Sequence, residues 1–142
     1  MTRAEIERLL QEHRDGFVQR DPEALAAGHL SEGTFQSTAT NIVRGRPAIE
    51  AVYRNWFAAF PDLLLQWDSA LIDESQGRAM FFWTLTGTHR GSFFGIQGTG
   101  LQVSTEGAAE VYFADGGIQS IRHVFDFTGM LVAAGVLKAR PA

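Results

Sequence analysis

The titratable side chains of most chemical interest lie near the end of the chain, in the stretch 118–131. His123 stands in a run with the pattern of a strand, and Asp126 follows three residues later. An imidazole has an unperturbed pKa of about 6.5, so it can exchange protons near neutral pH. Residues three apart in a regular strand face opposite sides. His123 and Asp126 could therefore form an orienting pair only if the chain bends after Phe125; otherwise Asp126 caps the helix that follows.

Two readings of His123 are open at this point. It is either a proton-transfer group in a pocket or a partly buried strand histidine that makes one hydrogen bond. A second polar pair, His89 and Arg90, offers a guanidinium that can bind an anionic ligand group. The alternative is that both residues lie at a strand end, in solvent, or hold the glycine-rich segment 91–100. That segment precedes a strand rather than a helix, so it lacks the helix N-terminus that binds phosphate, and we expect a turn or a pocket lid.

Composition excludes several classes of function. The net charge is −4 and Lys138 is the single lysine, so we expect no nucleic-acid partner. The chain has no cysteine, and its four histidines are scattered, which predicts no metal site and no cofactor. The N-terminal segment is charged, and no stretch is long and apolar enough for a bilayer, so we expect no membrane partner and a cytoplasmic location.

Three stretches in the N-terminal half have the spacing of helices. Residues 2–20 begin with a capping box, Thr2-x-x-Glu5. Asp21-Pro22 predicts a second helix that ends at about His29. The third helix spans residues 47–59, and its apolar face consists of Ile49, Val52, Tyr53, Trp56, Phe57 and Phe60.

From Leu63 onwards the hydrophobic pattern changes to a period of two, which predicts strands. The predicted strands are 63–73, 78–89, 102–114 and 118–127, and residues 34–44 are expected to be one or two extended segments. A short helix over 129–134 and a tail over 138–142 complete the chain. Three helices followed by three or four antiparallel strands are typical of an α+β fold, and 142 residues predict a single domain over 1–142.

Six short motifs, spread over essentially the whole chain, carry a family resemblance. They are Arg44-Gly45-Arg46-Pro47-Ala48-Ile49, Phe60-Pro61-Asp62, Gly87–Ile96, Thr99-Gly100, Asp115-Gly116-Gly117-Ile118 and Phe125-Asp126-x-x-Gly129-x-Leu131. Together they resemble the SnoaL-like polyketide cyclases of the nuclear-transport-factor-two-like superfamily. The resemblance implies a cone-shaped, curved antiparallel sheet packed on the three N-terminal helices, with an internal pocket. It also implies a homodimer joined through the outer face of the sheet.

The resemblance also implies a site on the last strand. Cyclases of this type carry an aspartate there as the acid/base for an intramolecular aldol ring closure, and that position falls on His123. Two other polar positions of the family fall on Gly107 and Ala109, and a third falls on Gln36 within one residue. The pocket is therefore expected to be apolar, although the same aromatic residues could simply fill the core. The predicted ligand-binding residues are Phe17, Gln36, Trp56, Phe60, Trp83, Arg90, Phe94 and Ala109.

Three functions remain open. The first is a cofactor-independent cyclase or isomerase-like enzyme for a small, largely apolar carbonyl compound. His123 would be the acid/base, Gln36 or Arg90 would polarise an oxygen, and Asp126 would orient the histidine. The second is a domain that binds a small apolar molecule without chemistry. The third is a structural dimer domain, which a cavity too small for any ligand would favour.

Overall fold

The computed structural model describes residues 1–138, so residues 139–142, most of the predicted tail, lie outside the described residues. The helices are α1 (Arg3–Val18), α2 (Pro22–Ala27), α3 (Arg46–Ala59) and α4 (Phe127–Ala133). The strands are β1 (His29–Ser37), β2 (Thr40–Arg44), β3 (Leu64–Gln66), β4 (Leu71–Asp73), β5 (Arg78–Thr88), β6 (Gln102–Ala114) and β7 (Gly117–Phe125). Within residues 1–138, no helix combines the length and the apolar content needed to cross a membrane.

Capping residues determine where the first two helices begin. The Thr2 hydroxyl accepts a hydrogen bond from the Glu5 amide, and the Glu5 carboxylate accepts one from the Thr2 amide, so the predicted capping box is confirmed. The Asp21 carboxylate accepts from the Ala24 amide at 3.0 Å and starts α2. This helix ends at Ala27, two residues before the predicted end at about His29. The carbonyl of Gly28 accepts a hydrogen bond from the Ile118 amide, which draws the chain into the sheet beside β7.

The strands form one sheet in the order β2-β1-β7-β6-β5-β3, with β4 also paired to β5. Strands β5, β6 and β7 are consecutive and antiparallel. The turn between β6 and β7 holds Asp115 and Gly116 at φ 48° and 78°, as a two-residue hairpin requires. The expectation of a wholly antiparallel sheet was wrong for one pair, since β1 runs parallel to β7. The long chain between β1 and β7 provides the crossover that a parallel pair needs.

The α+β prediction is confirmed, with four helices and a curled, unclosed sheet of seven strands over residues 1–138. Side chains alternate between the two faces of the sheet. We call the face that carries Trp83, Ala109 and His123 the concave face, because these residues are buried against the helices. The opposite face, which carries Phe82 and Val124, is the convex face.

The glycine-rich segment is tied to α4 through His89. Phe93 and Ile96 exchange two backbone hydrogen bonds around a tight turn, in which Phe94 has a φ of 52°. The Nδ1 atom of His89 lies 3.2 Å from the Thr99 hydroxyl, which donates to the Ala134 carbonyl at 2.8 Å. Of the alternatives for His89, the structure therefore supports the one in which it holds this segment.

Candidate active site

A small apolar cavity lies between the concave face of the sheet and helices α1, α3 and α4. Its volume is about 50 Å³. Within residues 1–138, no lining side chain is an acid, a lysine or an arginine, and the wall is mostly aromatic. The lining residues are Phe17, Phe35, Ser37, Tyr53, Trp56, Phe57, Leu63, Leu65, Trp83, Leu85, Thr105, His123, Phe125 and Met130.

His123 contributes an imidazole to this wall. The alternation of β7 turns it inwards, and the residue is 6% exposed. The indole Nε1–H of Trp83 donates a hydrogen bond to its Nδ1 atom at 3.1 Å, and the ring of Phe35 lies 5.5 Å away. Burial, with a smaller contribution from nearby His29, lowers the pKa of His123 from 6.5 to about 4. The imidazole is therefore neutral at pH 7, with a pKa well below the unperturbed value of about 6.5 on which the sequence-based expectation of proton exchange rested.

Trp83 reaches His123 across strand β6, which has small residues at this point. Trp83 is paired with Gly107 on β6, and His123 on β7 is paired with Ala109. A Cβ atom at position 107 would overlap the six-membered ring of the Trp83 indole, so the indole lies directly over Gly107. The positions where the resemblance expected two polar residues therefore leave room for the tryptophan.

A second buried histidine, His29, is paired with Tyr53, whose ring packs against Phe35. His29 Nε2 is 3.1 Å from the Tyr53 hydroxyl, and only Tyr53 of this pair lines the cavity. Burial, with a smaller effect of Arg46, lowers the pKa of His29 to about 4, and burial raises the pKa of Tyr53. The buried His13 ring packs 6.3 Å from the ring of Tyr53, and burial holds its pKa well below 6.5. These rings are therefore uncharged parts of the interior at neutral pH.

Asp126 lies outside the cavity wall. Its carboxylate accepts a hydrogen bond from the Gly129 amide at 2.9 Å and caps α4. Within residues 1–138, His123 makes its side-chain hydrogen bond with Trp83 rather than with Asp126. The orienting pair does not form, because β7 ends at Phe125 and the chain turns Asp126 towards the start of the helix.

The predicted ligand-binding residues divide into two groups. Phe17, Trp56 and Trp83 line the cavity. The other five do not line the cavity. Gln36 points away from the cavity between Phe35 and Ser37, Phe60 and Ala109 are fully buried in the core, Arg90 is exposed, and Phe94 is 58% exposed.

Sequence reasoning missed several wall residues that simple periodicity could have found. Tyr53, Trp56 and Phe57 lie on one apolar face of α3, because Trp56 and Phe57 follow Tyr53 by three and four residues. The face itself was predicted, and only the place of Tyr53 and Phe57 in the cavity wall was missed. Phe125 shares a strand face with His123. Met130 had no such signal, since its place in the wall depends on how α4 packs against the sheet.

Comparison with known proteins identifies the family of this fold. The model of the SnoaL-like polyketide cyclase family matches residues 7–133. The chain belongs to this family. The resemblance stated from the sequence is thereby confirmed. No curated protein matches the chain.

Solved structures with a similar fold belong to proteins with different named reactions. AclR from Streptomyces galilaeus, a candidate hydroxylase, is 27% identical with a TM-score of 0.82, over 99% of this chain and 87% of that one. A candidate SnoaL-like polyketide cyclase from Jannaschia sp. CCS1 is 17% identical with a TM-score of 0.84, over 95% and 94%. An epoxide hydrolase of M. tuberculosis, described as LEH-like, is 15% identical with a TM-score of 0.70, over 92% of both chains. The fold therefore does not decide the reaction.

Proposed function

We propose that this chain is an enzyme that catalyses ring closure or isomerisation of a small, neutral, largely apolar carbonyl compound. His123 is its catalytic group and acts on the carbonyl oxygen. One observation carries the proposal: a histidine lines an otherwise uncharged cavity, at the position where the resemblance places the acid/base aspartate of the cyclases. Membership of the SnoaL-like family supports the reaction class.

The composition of the cavity wall indicates an uncharged ligand. An ion buried among these aromatic and aliphatic side chains would lose its hydration without gaining an opposite charge. The aromatic rings of Phe35, Trp56 and Phe57 favour a flat, conjugated ligand that can stack on them. The polar groups of the wall include the imidazole of His123 and the hydroxyls of Ser37, Tyr53 and Thr105.

The size of the cavity implies that the wall opens when a ligand binds. Pockets for small organic ligands usually have volumes of roughly 300–1,000 Å³, compared with about 50 Å³ here. In our proposal α4 is the part that moves, because it supplies Met130 to the wall and is a helix of only seven residues. A wall that never opens would instead favour the structural alternative.

The chemistry requires a polarised carbonyl in a dry site. A hydrogen bond from His123 to a carbonyl oxygen stabilises the negative charge that develops there as the carbonyl carbon is attacked. The low polarity of the surrounding wall strengthens that interaction relative to water. Acid–base groups of this kind contribute roughly 10²–10⁴-fold to a rate.

The test compares His123→Ala with Val124→Ala, which changes the next residue, on the convex face. Both variants and the wild type are incubated with a panel of neutral aryl β-diketones that carry a further ketone, and products are followed by mass spectrometry. We expect turnover to fall roughly 10²–10⁴-fold in His123→Ala and to be unchanged in Val124→Ala. Unchanged turnover in a folded His123→Ala protein would refute the proposal. Binding of a diketone without any product would favour the non-catalytic alternative.

A further inference from the structure

We propose that Trp83 is a positioning residue that fixes His123 in the tautomer with its proton on Nε2. His123 then acts on the ligand as a hydrogen-bond donor and not as a base. The role towards a ligand rests on the proposed function, whereas the role of Trp83 towards His123 stands on geometry alone.

The direction of the hydrogen bond decides the tautomer. An indole nitrogen can donate a hydrogen bond but cannot accept one. The 3.1 Å contact between Trp83 Nε1 and His123 Nδ1 therefore requires an unprotonated Nδ1. A neutral imidazole with a bare Nδ1 carries its proton on Nε2. Both side chains are buried, with Trp83 4% and His123 6% exposed, so water has little access to replace either partner.

The sheet is built so that this contact can form. Trp83, Gly107 and Phe125 make one row across β5, β6 and β7, and Ala109 and His123 belong to the next row. The indole crosses β6 diagonally between these rows, over the position where Gly107 has no side chain. Any larger residue at position 107 would occupy the space of the indole ring.

The tautomer restricts the reaction that the cavity can promote. His123 in this tautomer gives a hydrogen bond to a carbonyl oxygen through Nε2–H but takes no proton from carbon, because its bare Nδ1 accepts from Trp83. Among the described residues, no carboxylate lines the wall to take that proton. The substrate must therefore bring its own nucleophile, which a β-dicarbonyl compound does in its enol form. In the ring closure the enol carbon forms a C–C bond to the polarised carbonyl carbon, and the C=O π bond breaks. The enol hydroxyl becomes a carbonyl, and its proton ends on the oxygen of the attacked carbonyl.

The first test reads the tautomer directly in ¹⁵N-labelled wild-type protein at pH 7. Long-range ¹H–¹⁵N spectra distinguish protonated from bare ring nitrogens, and an ¹⁵N–¹⁵N coupling across the hydrogen bond identifies its two partners. We expect a bare Nδ1 and a protonated Nε2 in His123, with a coupling to Trp83 Nε1. A protonated Nδ1, or an even mixture of tautomers, would overturn the proposal.

The second test removes the contact without removing either partner. In Gly107→Ala the new methyl group overlaps the Trp83 ring, so we expect the coupling to be lost and the His123 tautomers to mix. Gly28→Ala is the matched control, since its added Cβ would come no nearer than 3.5 Å to the Leu25 carbonyl oxygen, an ordinary contact. A coupling that persists in Gly107→Ala would contradict the proposal. If Gly107→Ala does not fold, Trp83→Phe tests the same loss, and the wild-type spectrum alone still decides the tautomer.

The outcomes separate this inference from the proposed function. The expected tautomer together with no turnover on any diketone would refute the enzyme and leave the positioning role of Trp83 intact. Loss of turnover in His123→Ala together with a protonated Nδ1 would support the enzyme and refute the role of Trp83.

Discussion

The two faces of the central sheet differ sharply in the exposure of their side chains, even between adjacent residues. Phe82 and Trp83 are adjacent on β5, yet Phe82 is 80% exposed and Trp83 is 4% exposed. Val124 is 57% exposed beside His123, which is 6% exposed. The concave face thus encloses the hydrogen bond between Trp83 and His123 among apolar side chains. The convex face presents apolar atoms to the surface.

The difference depends on small residues of β6. On the concave face Gly107 allows the Trp83 ring to lie over the strand and reach His123. On the convex face exposed Phe82 and Val124 flank half-buried Ala108 in a row across three strands. We propose that this convex row is the contact of a homodimer, since an apolar row at the surface gains most when a second copy covers it.

The largest expected effect is a loss of stability at low pH, caused by the buried histidines. All four histidines are buried, and the pKa values of His29 and His123 are about 4 in the folded chain against 6.5. Between pH 4 and pH 6.5 the unfolded chain binds more protons than the folded chain. The free energy of unfolding therefore keeps this contribution in full above about pH 6.5 and loses it as the pH falls towards 4. Each shift corresponds to about 3 kcal/mol.

Urea unfolding between pH 4.5 and 7.5 measures this loss. We expect the midpoint to fall steadily below pH 6.5, and the His29→Gln/His123→Gln variant to show a flatter profile. Equal stability of the wild type at both ends of the range would show that these histidines are not buried as neutral rings.

The second-largest effect is expected when Trp83 and Phe82, adjacent aromatic residues on the two faces, are each replaced by alanine. Trp83→Ala should cost about 3–5 kcal/mol of unfolding free energy, because it leaves a void over Gly107 and leaves His123 Nδ1 without its donor. Phe82→Ala should change the stability of the monomer by less than about 0.5 kcal/mol, because the ring is exposed. Urea denaturation at low protein concentration measures both. Equal costs would contradict the assignment of the two faces.

A smaller effect is expected from a single hydroxyl. Tyr53→Phe removes the partner of His29 Nε2 and should cost about 1–3 kcal/mol, because a buried polar atom is left unpaired. The control is Tyr112→Phe, since Tyr112 is half-exposed on the convex face, and it should change the stability very little. Thermal unfolding with two independent probes gives both values. A neutral Tyr53→Phe would mean that His29 does not rely on this hydroxyl.

The smallest effect on stability is expected from a substitution that changes the oligomeric state. Phe82→Asp places a charge in the convex row and should shift the protein from dimer to monomer with little loss of monomer stability. Thr86→Asp, on the same face and strand, is the control. Sedimentation velocity measures the mass. A wild-type protein that is monomeric at high concentration would refute the homodimer.

The parts that could be predicted from sequence depend on local patterns. Strand β6 was predicted with its observed bounds, since thirteen residues of alternation leave little freedom. The end of α2 falls two residues before the predicted position, because the Gly28–Ile118 hydrogen bond joins residues far apart in the chain. Phe94 was placed in the pocket, whereas the left-handed turn at this residue leaves Phe93 buried and Phe94 outside.

The candidate site was predictable in place but not in chemistry. His123 could be located by its strand pattern and by the family resemblance. Its neutral state and its hydrogen bond to Trp83 could not, because both depend on burial and on a diagonal contact across Gly107. The capping role of Asp126 was one of two readings, and only the end of β7 decides between them.

The most direct test of the concave site is to determine which face of the sheet receives a neutral carbonyl ligand. A ¹⁵N,¹³C-labelled sample is titrated with 1-phenylbutane-1,3-dione, and side-chain signals on both faces are followed by NMR. We expect saturable shifts of the His123 ring nitrogens and the Trp83 indole N–H, and no shift of the Val124 methyl groups or the Phe82 ring. Shifts confined to Val124 and Phe82, or no shift of His123 at saturation, would contradict this expectation.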